Sequence, residues 1–186
     1  MIILGSQSPR RIELLKEITR DFITMKPLFN EETINKNTPH YTLKEAKNKA
    51  ISLKNLAKPE DFLICCDTSV IYEDIIFGKP KDINNAKEIL RFLSNKTHKV
   101  ITAFVIMHGE TTIEKEVITY VTFNELSDSL INKYVTECDV LDKAGSYGIQ
   151  YDENYHIIKK IDGSLSNVIG FPIDEIRESL ILLGAI

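Results

Sequence analysis

The 186-residue chain has little cysteine, three residues in all, and two of them are adjacent as Cys65-Cys66. An odd count without spaced pairs excludes a disulfide framework and a structural zinc site, and predicts reduced thiols in a cytoplasmic protein. Long apolar runs are missing too. No stretch approaches the roughly 18 apolar residues of a membrane span, and the brief run Met1-Ile2-Ile3-Leu4 has no basic segment before it, so neither export nor membrane insertion is expected. The formal net charge of -4 supplies no overall positive field for a run of nucleic-acid phosphates, although a few local Lys and Arg residues can still serve a small anion. There is no dinucleotide fingerprint, no Walker loop and no nucleophile elbow of the G-x-S-x-G type, and His40, His98, His108 and His156 form no pair at metal-ligand spacing. Neither repeats nor low-complexity tracts interrupt the chain, whose length fits one domain or two closely joined lobes, taken together as a single domain over residues 1–186.

What is present is a globular composition, 43% hydrophobic and 27% charged, enough to bury a substantial core. Met1 to Gly5 reads as a short buried strand. Ser8-Pro9 then supplies a capping hydroxyl and a proline suited to the first helical position, and Ile12, Leu15 and Ile18 recur at helical spacing. Further helices are predicted around Leu43–Leu53, Ala86–Leu93, Leu130–Val135 and Ile173–Leu183, the last ending near Gly184. Phe62-Leu63-Ile64-Cys65-Cys66 reads as a strand buried on both faces that ends at Asp67-Thr68. Segments 97–108 and 112–123 flank His108-Gly109-Glu110 as a long antiparallel hairpin, and Tyr155 to Ile161 reads as a late strand. Helices alternating with strands predict an α/β fold on a mixed sheet.

The residues suited to chemistry fall into a few groups. Ser6-Gln7-Ser8-Pro9-Arg10-Arg11 gathers hydroxyls, free amides of a helix start and two guanidinium groups within one turn, which is equipment for an anion. The competing reading is a capped helix with two solvated arginines. An acidic residue that closes an apolar strand, as Asp67 does, is held rigidly where α/β sheets bind ligands; alternatively Asp67 caps the next turn. Glu31 and Glu32 form a second acidic pair, which composition alone would leave on a solvated loop. Asp67 with one of them suits Mg²⁺, which favours carboxylate, water and phosphate oxygen. Lys79 sits between Gly78 and Pro80, on backbone that proline keeps extended. Lys49 lies on a helical face among Lys47 and Lys54, where spacing alone predicts a solvated charge. Cys65 and Cys66 read as small packing residues rather than nucleophiles.

The run Leu4-Gly5-Ser6-Gln7-Ser8-Pro9-Arg10-Arg11-Ile12-Glu13-Leu14-Leu15 resembles the opening signature of the Maf family of nucleotide pyrophosphatases. Lys49-Ala50, Asp67-Thr68, Gly78-Lys79-Pro80, Thr97-His98-Lys99-Val100, Asp142-Lys143-Ala144-Gly145, Tyr147-Gly148-Ile149-Gln150 and Ser166-Asn167-Val168-Ile169-Gly170 follow in the family's order. The likeness extends over essentially the whole chain. It implies a Maf/ITPase-like fold, an elongated mixed sheet flanked by helices, with two lobes around a central cleft. It also implies Asp67 as the catalytic acid residue and Glu31 as its partner in holding metal and water. Ser6, Arg10, Arg11, Lys49 and Lys79 would line the triphosphate site. Arg10, Thr68 and Gln150 together resemble the dTTP and UTP branch, and the Gln150 amide has the donor and acceptor that a pyrimidine edge requires. Three positions depart from the family pattern. Gly5 stands where alanine is usual, Cys65 and Cys66 replace small Gly or Ala, and Asn30 occupies a place often held by Asp, which weakens the case for a second metal interaction.

The resemblance thus implies a homodimer that hydrolyses a nucleoside triphosphate to monophosphate and pyrophosphate. A Mg²⁺ or Mn²⁺ ion would bridge Asp67 and the phosphates, and Asp67 or Glu31 would take a proton from water attacking the α-phosphorus. The competing activities are a pyrophosphatase for noncanonical purine triphosphates and a nucleotide-binding regulator of cell division without turnover.

Overall fold

The computed structural model describes residues 1–29, 35–36 and 38–186; Asn30, Glu31 and Glu32 lie outside the described residues. The chain divides into two compact units. The first comprises Met1–Thr68, Thr102–Val117 and Ser166–Ile186, and the second Ser69–Ile101 and Ile118–Leu165.

In the first unit, β1 (Ile2–Leu4) runs parallel to both β2 (Phe22–Thr24) and the start of β3 (Phe62–Tyr72), with Leu4 opposite Thr24 and Ile64. Side chains alternate across a strand, so the unbroken apolar run in β3 is buried on both sides. Leu4, Ile64 and Cys66 pack toward α1 (Pro9–Lys16) and the last helix, through Leu15, Ile176 and Leu180. Ile3, Leu63 and Cys65 pack toward α2 (Tyr41–Lys54) through Ala46, Ala50 and Leu53.

The second unit takes the remainder of β3, which pairs antiparallel with β4 (Ile75–Phe77), followed by α3 (Ile83–Leu93). Asp82 caps α3 by accepting from the Asn85 N–H at 2.8 Å. The outer ends of the hairpin β5 (Thr97–His108) and β6 (Thr111–Phe123) belong here, while its residues 102–117, with the turn at Gly109 whose φ of 56° suits glycine, belong to the first unit. Ser127 caps α4 (Asp128–Glu137), and the turn α5 (Asp152–Tyr155) precedes β7 (Ile158–Asp162), antiparallel to β6. After Leu165 the chain returns to the first unit, with the short α6 (Leu165–Ile169) and then α7 (Ile173–Leu182). Among the described residues the strands form one seven-stranded mixed sheet in the order β2-β1-β3-β5-β6-β7, with β4 beside β3, flanked by helices. No helix of the described residues is long and apolar enough to cross a membrane.

Structure and sequence part company at several places. β3 does not stop at Asp67 but continues to Tyr72, because Ser69 and Val70 are buried and Val70–Tyr72 gains β4 as a partner. Ser8 occupies the cap position of α1 without a side-chain cap bond; its own N–H instead donates to Ser6 Oγ at 3.2 Å. The expected strand from Tyr155 begins only at Ile158, since Asp152 accepts from the Ile158 N–H at 2.8 Å and His156 turns the chain at a φ of 50°. β2 was not predicted, being three residues long and half exposed.

Burial sets the state of the unassigned side chains. Desolvation pushes the Cys65 thiol up to about 12 and the Cys66 thiol to about 11, which keeps both protonated and inert. His98 is buried against Phe123 and Tyr147, and desolvation pulls it down to about 4, so it is a neutral ring in the core of the second unit.

Gly5 and Cys65 occupy one space. A Cβ on Gly5 would lie 2.2 Å from Cys65 Sγ and 2.9 Å from Leu53 Cδ1, so the glycine at the alanine position and the cysteine at the small-residue position compensate each other. Gly5→Ala should therefore destabilise the protein by about 1–3 kcal/mol through overpacking, and Cys65→Ala added to it should restore most of that loss. Urea denaturation of both variants checks this; a double variant weaker than Gly5→Ala alone would refute the shared-volume explanation.

Candidate active site

Alternation along β3 decides where its polar residues go. Leu63 and Cys65 face α2, so Asp67 does as well; Ile64 and Cys66 face α1 and α7, and Thr68 follows them. On α2 the buried stripe Ala46, Ala50 and Leu53 includes Lys49, whose side chain is only 9% exposed. Its Nζ donates to Asp67 Oδ1 at 2.6 Å. Lys49 is therefore not the solvated charge that its lysine-rich neighbourhood predicts, because it lies on the same inner face as the alanines that seat α2 on the sheet. Taking both charges out of water is costly, and their direct contact offsets that cost.

β1 ends at Leu4, and the Gly5 N–H makes a last bond to the Ile64 carbonyl at 2.7 Å. Beyond it β3 runs on while the first chain segment turns through buried Ser6 into α1. Arg10 and Arg11 open that helix behind Pro9. Arg11 is anchored on the protein: its Nε donates to the Gly170 carbonyl at 2.9 Å and its Nη2 to Thr68 Oγ1 at 3.2 Å. Gly170 has a φ of 109°, and a Cβ there would come 3.0 Å from Thr68 Oγ1, so only glycine lets this backbone approach. The cationic turn and Thr68 thus meet through Arg11.

Thr68 also bonds Thr102 Oγ1 at 2.9 Å, and Thr102 is itself tied to Asn167. Neither Thr102 nor the side chain of Asn167 stood out in the sequence. Thr102 is one threonine in a β-rich hairpin, and Asn167 appeared only within a family block.

The second unit carries Lys79 and Gln150, both exposed. The Gly145 N–H donates to the Gly78 carbonyl at 3.2 Å, which ties the 144–150 segment to the strand end that precedes Lys79. Gly148 is clamped by its N–H bond to Tyr134 Oη at 3.0 Å, and a Cβ on Gly148 would meet the Gln150 amide oxygen at 2.6 Å. Behind this segment Tyr147 shares a 2.8 Å hydrogen bond with His98 Nε2. Lys143 is buried and bonded to the Asp142 carboxylate and the Asp139 carbonyl, a structural ammonium rather than a presented one. Glu31 lies outside the described residues.

A family model described as Maf-like protein matches residues 1–182. The chain belongs to the Maf family. It is 43% identical over 173 residues to a dTTP/UTP pyrophosphatase of Pyrococcus furiosus, a match covering 92% of this chain and 90% of that one. A dTTP/UTP pyrophosphatase of Thermosipho melanesiensis is 39% identical over 180 residues, 96% of each chain. Another, of Clostridium botulinum, is 36% identical over 189 residues, covering 98% of this chain and 97% of its own. Among solved structures, a HAM1 protein from Coxiella burnetii aligns with a TM-score of 0.51 at 10% identity, covering 97% of this Maf chain and 98% of that one. That likeness supports the expected fold class.

The Lys49–Asp67 contact can be isolated by stability measurements. Lys49→Met should destabilise the protein by about 3 kcal/mol, since it leaves a carboxylate with little access to water and no counter-charge. In a double-mutant cycle with Asp67→Asn the two losses should be coupled by at least about 1 kcal/mol. Additive losses in urea denaturation would show that the pair does not act as a unit.

Proposed function

We propose that this Maf chain hydrolyses dTTP and UTP to the nucleoside monophosphate and pyrophosphate by attack of water at the α-phosphorus. The observation that carries the reading is the Lys49-held carboxylate of Asp67, one residue from the threonine that receives Arg11. A fixed negative charge and a set of cations in adjacent positions is what a metal-loving, highly charged triphosphate requires. The names of the relatives supply the substrate class.

A divalent metal fits the donor chemistry on one condition. Among the described residues no group of three or more His, Cys, Asp and Glu side chains gathers, and the Oδ1 of Asp67 is bonded to Lys49. Mg²⁺ and Mn²⁺ tolerate that arrangement, since they are commonly held by one or two carboxylates with water and substrate phosphates completing the shell. Asp67 Oδ2, with Glu31, would hold the ion. When bound, such an ion offsets phosphate charge and lowers the pKa of a bound water.

The chain's own residues divide the remaining work. Lys49 holds the Asp67 carboxylate in place through its 2.6 Å contact and adds positive charge beside the phosphates. Ser6, Arg10 and Arg11 bind phosphate oxygens at the start of α1, Arg11 through Nη1 because Nε and one Nη2 donor are committed. Asp67 or Glu31 receives the proton of the attacking water as its oxygen bonds to the α-phosphorus. The bond from that phosphorus to the α,β-bridging oxygen breaks, and pyrophosphate leaves with the electron pair. Lys79 and Gln150, on the second unit, are assigned to phosphate and base on the family motifs. Arg10 and Thr68 join Gln150 in setting the pyrimidine preference. A homodimer is the working form implied by the Maf resemblance, and the free thiols of Cys65, Cys66 and Cys138 favour the cytoplasm.

Pyrophosphate release from a panel of canonical and noncanonical triphosphates, with Mg²⁺ added or chelated, tests the reading. Turnover of dTTP and UTP should exceed that of purine triphosphates by about tenfold or more in kcat/KM, should stop on chelation, and in ¹⁸O-water should leave the label in the monophosphate. A preference for noncanonical purines, or binding without turnover, would overturn it.

A further inference from the structure

The hydroxyl of Thr68 is not free to choose its role. Thr102 is fully buried, and its backbone N–H donates to Asn167 Oδ1 at 3.2 Å, which fixes both partners. The Thr102 hydroxyl donates to the Asn167 carbonyl at 2.9 Å. A threonine hydroxyl has one proton and two acceptor lone pairs. With the proton of Thr102 committed to a carbonyl, the 2.9 Å contact between Thr102 Oγ1 and Thr68 Oγ1 is donated by Thr68. Thr68 simultaneously accepts from Arg11 Nη2 at 3.2 Å. Its proton and one lone pair are therefore used inside the protein, and one lone pair remains.

We infer that Thr102 is a positioning residue that, through this one-way chain from Arg11 to Thr68 to Thr102 to the Asn167 carbonyl, makes Thr68 an acceptor-only group toward the nucleotide. The nucleotide must then meet Thr68 with a hydrogen-bond donor. Two donors are common to dTTP and UTP: the N3–H of the pyrimidine ring, which cytosine lacks, and the 3′-hydroxyl of the sugar. The inference rests on the pyrimidine triphosphatase reading and adds two residues, Thr102 and Asn167, that select substrate without touching it. It also explains why Gly170 closes over Thr68: a Cβ there would come 3.0 Å from the same oxygen and disturb its bonding.

The test compares UTP with N3-methyl-UTP and 3′-deoxy-UTP on the full-length protein. In the wild type one of the two analogues should lose about tenfold or more in kcat/KM, and which one it is identifies the donor. Thr102→Val removes the acceptor for the Thr68 proton, so Thr68 can turn and donate; that penalty should shrink at least threefold, while Thr102→Ser, which keeps the hydroxyl, should preserve it. Thr68→Val, which cannot accept, should abolish the penalty and decides the matter on its own should Thr102→Val not fold. Wild-type turnover of both analogues as fast as UTP, or a penalty untouched by Thr102→Val and Thr68→Val, overturns the inference while leaving the activity standing. Absence of pyrophosphate from UTP and dTTP themselves overturns the activity reading on which it rests.

Discussion

The contact between Lys49 and Asp67 is the constraint around which the first unit is arranged. A carboxylate that closes an unbroken apolar run and is itself only 15% exposed has lost most of its contact with water, and a counter-charge offsets that loss. α2 delivers that charge because Ala46 and Ala50 let the helix sit close to the sheet, and Lys49 extends along the same face. The small cysteine and glycine side of this contact, Cys65 against Gly5, belongs to the same close fit. Position and packing of Asp67 thus have a common origin.

Strand alternation then splits the polar step in two. Asp67 turns to α2 and Thr68 to α1, so the acidic group and the arginine-anchored hydroxyl are neighbours in sequence but are held by different helices. The early end of β1 at Leu4 leaves this part of β3 beside the turn that opens α1. Arginine, threonine and the glycine backbone at residue 170 interlock there. In the proposed activity, that is where negative phosphate would meet positive charge with little reorganisation.

Much of this was legible from residue patterns. The apolar run 62–66 announced a doubly buried strand, the threonine- and valine-rich segments about Gly109 announced the hairpin, and Ala86, Ile89, Leu90 and Leu93 announced α3. Local patterns failed where tertiary contact decides. β3 continues past Asp67 because Val70–Tyr72 pair with β4 across the tight turn at Glu73-Asp74, whereas the Lys49 that meets Asp67 stands 18 positions away, outside any short window. Lys49 is read as solvated when its lysine neighbours are counted, and as buried once the alanine stripe beside it is given weight. Ser8 has the composition of a cap but spends its N–H on Ser6. The hydroxyl chain through Thr102 leaves no trace in sequence, since it depends on two strands and a C-terminal turn arriving at one point.

The most direct measurement is the turnover of dTTP and UTP by Asp67→Asn, a change that keeps shape and removes charge. With circular dichroism showing a native fold, kcat should fall on the order of 10³-fold or more. Turnover near the wild-type rate in a folded Asp67→Asn protein would contradict the assignment of the chemistry to this carboxylate.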